Sequence, residues 1–246
     1  MANTFKGVVS LLSSLVRLGR GAVVKGHRKE PAQPLELYDG EFCPFCRYVR
    51  EALTELDLDV IIRPMPKGGT RFRQQLQQIG GRAQVPFLVD PNTGTQLYES
   101  TDIVRYLYSE YGPVGTRPPR RLLPLSLLAT VLRMKKGMFV RPSKAPTQLL
   151  ELYSFEASPF ARLVRETLCE LELPYLLHNV GKGAGRPSEW LPPGARKNYV
   201  APTEHRRQLV ERGGKMQVPY LVDPNTGAAL YESADIQRYL RQTYGA

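Results

Sequence analysis

The sequence predicts an α/β chain of two tandem domains, each a β-α-β-α-β-β-α unit on a mixed four-stranded sheet and each preceded by a basic amphipathic helix. Three observations carry this. Residues 36–50, ELYDGEFCPFCRYVR, reappear at 151–165 as ELYSFEASPFARLVR, 115 positions on. Residues 84–107, QVPFLVDPNTGTQLYESTDIVRYL, reappear at 217–240 as QVPYLVDPNTGAALYESADIQRYL, 133 positions on. Within each copy the apolar pattern switches between short strand runs and helical spacing. The second copy has gained 18 residues between the two blocks, within the Gly/Pro-rich stretch VGKGAGRPSEWLPPGARKN, which reads as a loop.

The elements follow in order. LELYD, Leu35 to Asp39, is a short apolar strand. A helix then starts at Pro44, where Phe45, Tyr48, Val49, Ala52, Leu53 and Leu56 recur at helical spacing and give it one buried face. LDVII (58–62) is the second strand, and Arg71 to Ile79 a second helix stopped by Gly80-Gly81. VPFLV and TQLYE flank DPNTG, whose Pro, Asn and Gly favour a tight antiparallel turn. Ser100 is the expected N-cap of the last helix, Thr101 to Tyr111, with Asp102 favourable in its first turn. A strand–helix–strand crossover gives a parallel pair and the hairpin an antiparallel one, so the sheet is mixed. The resulting segments are 1–34 (lead-in helix), 35–113 (first domain), 114–149 (basic linker and lead-in helix) and 150–246 (second domain).

Charge is concentrated outside the domains. The chain carries +11 overall, but residues 1–34 hold six Lys/Arg against one Glu, and residues 114–150 hold eight Lys/Arg and no acid. SLLSSLVRLGRGAVV (10–24) returns in mid-chain as SLLATVLRMKKGMFV (126–140), so the first run is a structural element rather than an N-terminal address. No apolar run approaches the roughly 18 residues that span a bilayer. Three cysteines are too few for a secreted disulfide scaffold and fit a reducing, cytoplasmic compartment and a soluble chain.

Element order and motifs together closely resemble the thioredoxin-like fold, specifically the glutathione-binding N-terminal domain of glutathione S-transferases and the related glutaredoxins. Three signals occur in order and twice: a C/S-P-F-x motif after the first strand, Val-Pro opening the third, and Glu-Ser opening the last helix. The resemblance implies glutathione as co-substrate and a cis bond at Val85-Pro86 whose exposed backbone pairs with the cysteinyl part of glutathione. It also implies that Glu99 and Ser100 hold the γ-glutamyl end, with Val218, Pro219, Glu232 and Ser233 as their counterparts.

Cys43 and Cys46 are the expected redox pair. A thiol attacks a disulfide only as a thiolate. Proline at the first helical position leaves Cys43 as the N-cap, beside unpaired N–H groups and the positive end of the helix dipole. Cys46, within the first turn, stands ready to resolve a mixed disulfide, and Arg47 adds favourable potential. The other readings of the pair are half a zinc site or two inert thiols. Zinc lacks further ligands, since His27, His178 and His205 have no metal-binding spacing, so no metal is expected.

In the second copy Ser158 replaces the nucleophile and Ala161 the resolving thiol. Serine cannot exchange disulfides. Several glutathione S-transferase classes place a serine here against the glutathione sulfur, so Ser158 is a candidate catalytic residue of a second glutathione site; the competing reading is a packing partner in which Ser158 only caps its helix. Cys169 reads as a flanking structural cysteine.

The expected function is glutathione-linked thiol-disulfide oxidoreduction on a disulfide-containing substrate. Two alternatives stand beside it: transfer or isomerisation of an electrophilic substrate without net redox change, and a non-catalytic module that binds glutathione, a partner or a membrane surface. Nothing resembles the all-helical domain that ordinarily follows in glutathione S-transferases, and the glutaredoxin Gly-Gly pair is replaced by Glu99-Ser100. Each lead-in helix either packs on the domains or meets an anionic surface. No nucleic-acid motif accompanies the charge.

Overall fold

The computed structural model describes residues 21–119, 136–184 and 200–246. Of the expected lead-in segments, 1–20 and 120–135 lie outside the described residues; 21–34, 114–119 and 136–149 are described and hold no helix, but turns, extended chain and the short strand Val23–Val24. In chain order the elements are β1 (Val23–Val24), β2 (Leu35–Asp39), α1 (Pro44–Glu55), β3 (Val60–Pro64), α2 (Arg73–Gly80), β4 (Phe87–Asp90), β5 (Thr95–Leu97) and α3 (Ser100–Glu110). The second copy supplies β6 (Leu150–Ser154), α4 (Pro159–Glu170), β7 (Tyr175–Asn179), β8 (Lys182–Gly183), α5 (Glu204–Gly213), β9 (Tyr220–Asp223), β10 (Ala228–Tyr231) and α6 (Ser233–Tyr244).

Each copy has the expected order and a mixed four-stranded sheet, and the two sheets are one. The strands run β10-β9-β6-β7-β3-β2-β4-β5. The join is the antiparallel pair β3–β7, with Val60 opposite Leu177, Ile61 opposite Leu176 and Ile62 opposite Tyr175. Adding 115 to the β3 numbers and subtracting it from the β7 numbers maps the register onto itself. That is the signature of an isologous, two-fold contact made inside one chain. A single apolar cluster accordingly runs through both copies, from Leu35, Val49 and Leu53 to Leu150, Val164 and Leu168. It lies under α1, α3, α4 and α6, while α2 and α5 cover smaller clusters on the opposite face around Phe87 and Tyr220.

Local boundaries differ from the sequence expectation where turns intervene. The second strand begins at Val60 because Asp57, at φ 56°, breaks the chain away from α1, and Leu58 is buried in the core instead. Ser100 is the first helical residue rather than the cap; Glu99 takes the cap position at φ 64°, and Glu232 does the same at φ 66°. Gly81, at φ 75°, closes α2 in the left-handed conformation that glycine adopts without steric cost. The repeated DPNTG is more than a turn. Asp90 accepts from Tyr106, Tyr111 and the Asn92 amide, and Asp223 accepts from Tyr239, Tyr244 and the Asn225 amide, so each hairpin is tied to the helix that follows it.

The two lead-in ends cross over. β1 pairs with β8 of the second copy, and Phe139, ahead of the second copy, bridges to Lys67 of the first. Between α1 and α4 lies a buried ionic cluster whose members are at most 3% exposed. Arg50 bonds Asp39 at 2.6 Å and crosses to Glu156 at 2.9 Å, while Arg165 bonds Glu156 at 2.9 Å and crosses to Glu41 at 3.2 Å. Arg47 meets Glu51 and Glu156 at 3.3 and 3.5 Å. Burial pushes the Glu156 carboxyl toward its neutral form, but Arg165, Arg50, Arg47 and Arg162 outweigh it and hold the group well below the carboxylate range.

Removing one charge from such a cluster leaves its partners buried and uncompensated. Glu156→Gln is therefore expected to lower the unfolding free energy by about 3–5 kcal/mol. Arg63→Ala, which breaks the partly exposed Arg63–Glu36 pair at 2.7 Å, should cost less than about 1 kcal/mol of pair energy. Urea titration of both variants measures the difference, and equal losses would contradict a central role for Glu156.

Candidate functional site

The loop from β2 into α1 carries the thiols. Cys43 occupies the N-cap of α1 in extended conformation, Pro44 follows at the first helical position, and no side chain caps the helix. The first-turn N–H groups are thus left to the sulfur. Cys43 is 8% exposed and Cys46 fully buried, and both are free thiols. The Cys43 pKa is lowered to about 7: a hydrogen bond from the Cys46 thiol contributes most, burial opposes it, and the backbone N–H groups of Cys46 and Phe45 reinforce it. Burial pushes Cys46 well above the ordinary thiol value, with the Cys43 sulfur adding to the shift; the Gly40 amide donates to its Sγ at 3.4 Å. Such a pair has one thiol ionised near neutrality at the rim and one protonated thiol behind it.

The remaining residues expected in the first copy sit on the elements around this helix. Val85-Pro86 is cis and enters β4. Ser100 is buried at the start of α3, and Glu99 is exposed, 3.6 Å from the Arg82 guanidinium. Arg47 does not face the thiol as a lone cation; it is bound into the ionic cluster.

In the second copy the expected residues line one open cavity of about 440 Å³. Ser158, Val218, Pro219, Glu232 and Ser233 all reach it. Val218-Pro219 is also cis. Ser158 caps α4, its oxygen accepting from the Ala161 amide at 3.3 Å, so the capping role is present, and the residue lines the cavity as well. The Glu232 carboxylate accepts from Gln217 at 2.6 Å. Two cations, Lys182 and Arg206, complete the wall. Arg206 is fixed by Val180 O and Gly181 O at 3.1 and 2.6 Å. A cis-proline edge, a helix start with a hydroxyl, an acid and two cations suit a zwitterionic peptide with carboxylates and an ammonium.

Lys182 and Arg206 were not among the expected residues, although the repeat held the signal. Lys182 matches Lys67 at the offset of 115, and Arg206 matches Arg73 at 133. Asp39 is a second omission. It ends β2 beside the thiols, burial raises its pKa to about 6 against the pull of Arg50, and its charge opposes ionisation of both cysteines. Its counterpart Ser154 is neutral and accepts from Arg165 at 2.9 Å. Cys169 is buried, and desolvation pushes its thiol far upward, which makes it an inert thiol. Among the described residues no cluster of three or more His, Cys, Asp or Glu side chains could hold a metal ion, and no helix is long and apolar enough to cross a membrane.

A glutathione transferase of Bombyx mori, BmGSTD1, is 28% identical over 38% of the chain and 43% of its own length, with a TM-score of 0.32. The Leishmania protein TDR1, a trimeric glutathione transferase, is 16% identical over 87% of the chain and 68% of its own length, with a TM-score of 0.31. The chain thus spans less than half of the silkworm enzyme it matches. No curated protein sequence matches. The family model described as glutathione S-transferase, N-terminal domain, matches residues 37–117 and again 152–246, well over half of the chain, which therefore belongs to that family and carries its domain twice.

Proposed function

We propose that the chain is a glutathione-linked thiol-disulfide oxidoreductase working through Cys43 and Cys46. The observation that carries this reading is the split between the two thiols, one lowered to about 7 at the helix start and one held protonated behind it. The Cys43 thiolate attacks one sulfur of a substrate disulfide, forming a mixed disulfide and expelling the other sulfur as a thiolate that takes up a proton. Once Cys43 is in a mixed disulfide it no longer bears charge, so the repulsion that helped keep Cys46 protonated is removed. Cys46 then gives up its proton and attacks Cys43, releasing the reduced substrate and leaving a Cys43–Cys46 disulfide. Two glutathione thiolates in succession reduce that disulfide and leave as oxidised glutathione. Alternatively glutathione resolves the mixed disulfide directly. In this reading cis Val85-Pro86, Glu99 and Ser100 orient the glutathione.

A second reading is favoured by the cavity at Ser158. With Lys182, Arg206, Val218-Pro219 and Glu232-Ser233 around it, that cavity suits a second glutathione, whose sulfur the Ser158 hydroxyl would hold as thiolate for transfer to an electrophile.

Two outcomes are expected. Alkylation of Cys43 in the reduced protein should titrate near 7, and Cys46→Ala should move it upward toward the free-cysteine value of about 8.5, because the donated hydrogen bond is lost. Titration at 8.5 in both proteins removes the basis of the redox reading. Cys43→Ser should abolish disulfide exchange while Cys46→Ser keeps a glutathione-resolved fraction.

For the second cavity, glutathione binding to Cys43→Ser is followed by calorimetry, since thiol exchange at Cys43 no longer contributes. Adding Ser158→Ala should then weaken binding at the second cavity about tenfold or more, by about 1.5–3 kcal/mol for a lost hydrogen bond to a charged group. Undetectable binding to Cys43→Ser would leave Ser158 as a helix cap alone.

A further inference from the structure

The two copies meet at two junctions related by the internal repeat, and different chemistry closes each. At the first, the Glu172 carboxylate accepts the amides of Thr70 and Arg71 at 3.3 and 3.2 Å. The Arg71 guanidinium donates to Leu171 O, Glu172 O and Ser143 O at 3.2, 2.5 and 3.0 Å. Its charge persists at every physiological pH.

At the second junction the repeat places Asp57 where the first has Glu172, Glu204 where it has Arg71, and His205 where it has Phe72. His27, which meets Leu56 O, likewise stands where the first has Ser143, which donates to Leu171 O, and Asp59 stands where it has Pro174. On the neighbouring strand His178 replaces Arg63, facing Glu151 where Arg63 faces Glu36. All three histidines of the chain lie at this one junction: His27 and His205 line an open cavity of about 560 Å³, and His178 stands beside His205 with ring centroids 6.4 Å apart.

The contacts across it are between histidine and carboxylate. His178 Nδ1 lies 2.6 Å from Asp59 Oδ2, and its Nε2 lies 3.1 Å from Glu151. His205 stands 3.6 Å from Asp57 Oδ1 and 3.5 Å from Asp59 Oδ1, and its Nδ1 is 3.2 Å from Asn179 O. Both Oδ1 atoms are buried with no hydrogen-bond partner among the described residues, and His205 stands within 3.6 Å of each. His27 pairs with Glu30 at 2.5 Å and meets Leu56 O at 3.0 Å. The other charges facing the group are Glu204 on the cavity wall and Arg212, which bonds Glu151 and lies over the Tyr153 ring that stacks on His178. Arg206, next to His205, is turned to Val180 O and Gly181 O.

We propose that this second junction is a pH-responsive latch: protonated His178 and His205 hold the second copy on the Asp57–Asp59 loop of the first, and their deprotonation releases that contact while the Arg71–Glu172 junction stays closed. Burial pulls both imidazoles downward, but the carboxylates outweigh it, raising His178 above its ordinary value and His205 to about 9; His27 is raised by its bond to Glu30. A raised folded-state pKa gives stabilisation that is complete below the unfolded value of 6.5 and is lost as pH climbs through the folded one. For His205 the window is therefore from 6.5 to about 9.

Hydrogen–deuterium exchange of the full chain, expressed as protection factors corrected for intrinsic exchange, reads the latch against its twin. Between about pH 6 and pH 9.5, protection at 57–60 and 205–208 should fall by about tenfold or more, while 70–76 and 172–175 hold within about twofold. The double variant His178→Gln with His205→Gln should show the low value at both pH values. Unchanged latch protection in the wild-type protein, or an equal fall at the Arg71 junction, overturns the proposal. Proton NMR of the wild-type histidines gives a check that needs no variant: His205 titrating near 6.5 overturns it as well.

Discussion

The arrangement depends on keeping four arginines and their carboxylates out of water between α1 and α4. Charges there cannot be solvated, so each must be matched by an opposite charge at hydrogen-bond distance. Glu41 and Glu156 supply that match across the copies, each accepting from the arginine of the other. Because the cluster includes Asp39 and Arg47, which flank the dithiol in sequence, the setting of Cys43 is fixed by residues of both copies. The thiol-free copy is thus part of the electrostatic frame in which the thiols sit.

That frame also separates the two copies chemically. The first copy ends its leading strand in Asp39 and the second in Ser154, and the nucleophile position changes from cysteine to serine with it. A buried acid thus stands beside the thiol pair in the first copy, and a buried hydroxyl near the Ser158 cap in the second. The cavity at Ser158 is walled instead by Lys182 and Arg206.

Element order was legible in the sequence because the repeat shows each strand and helix twice, and because Pro44 and Pro159 mark the helix starts. The cap position of Cys43 followed from Pro44 alone. The ionic cluster was not legible by periodicity: Arg47, Arg50 and Glu51 occupy what reads as the polar, solvent-facing side of an amphipathic helix, yet α1 is buried from Cys46 to Glu55. The available signal was of another kind, the same charges recurring at Arg162, Arg165 and Glu166. The joined sheet was hidden for a similar reason. Nothing in a strand's own sequence tells whether its free edge faces water or another strand, and Ile61 and Leu176 look alike in either setting. The tyrosines that bind Asp90 and Asp223 lie 16 and 21 residues downstream, beyond the reach of turn rules.

The self-mapping register of β3 and β7 bears on how far the molecule can be divided. A strand that pairs with its own repeat across a two-fold axis would pair equally well with the same strand of a separate molecule. The contact is of the kind two separate copies of one domain would make, closed here within a single chain. The lead-ins cross between the copies in the same two-fold sense, Val23 and Val24 pairing with Lys182 and Gly183 and Phe139 with Lys67. Either half, cut from the chain, would present a bare strand edge and an unmatched set of arginines, and would be driven to pair with a copy of itself.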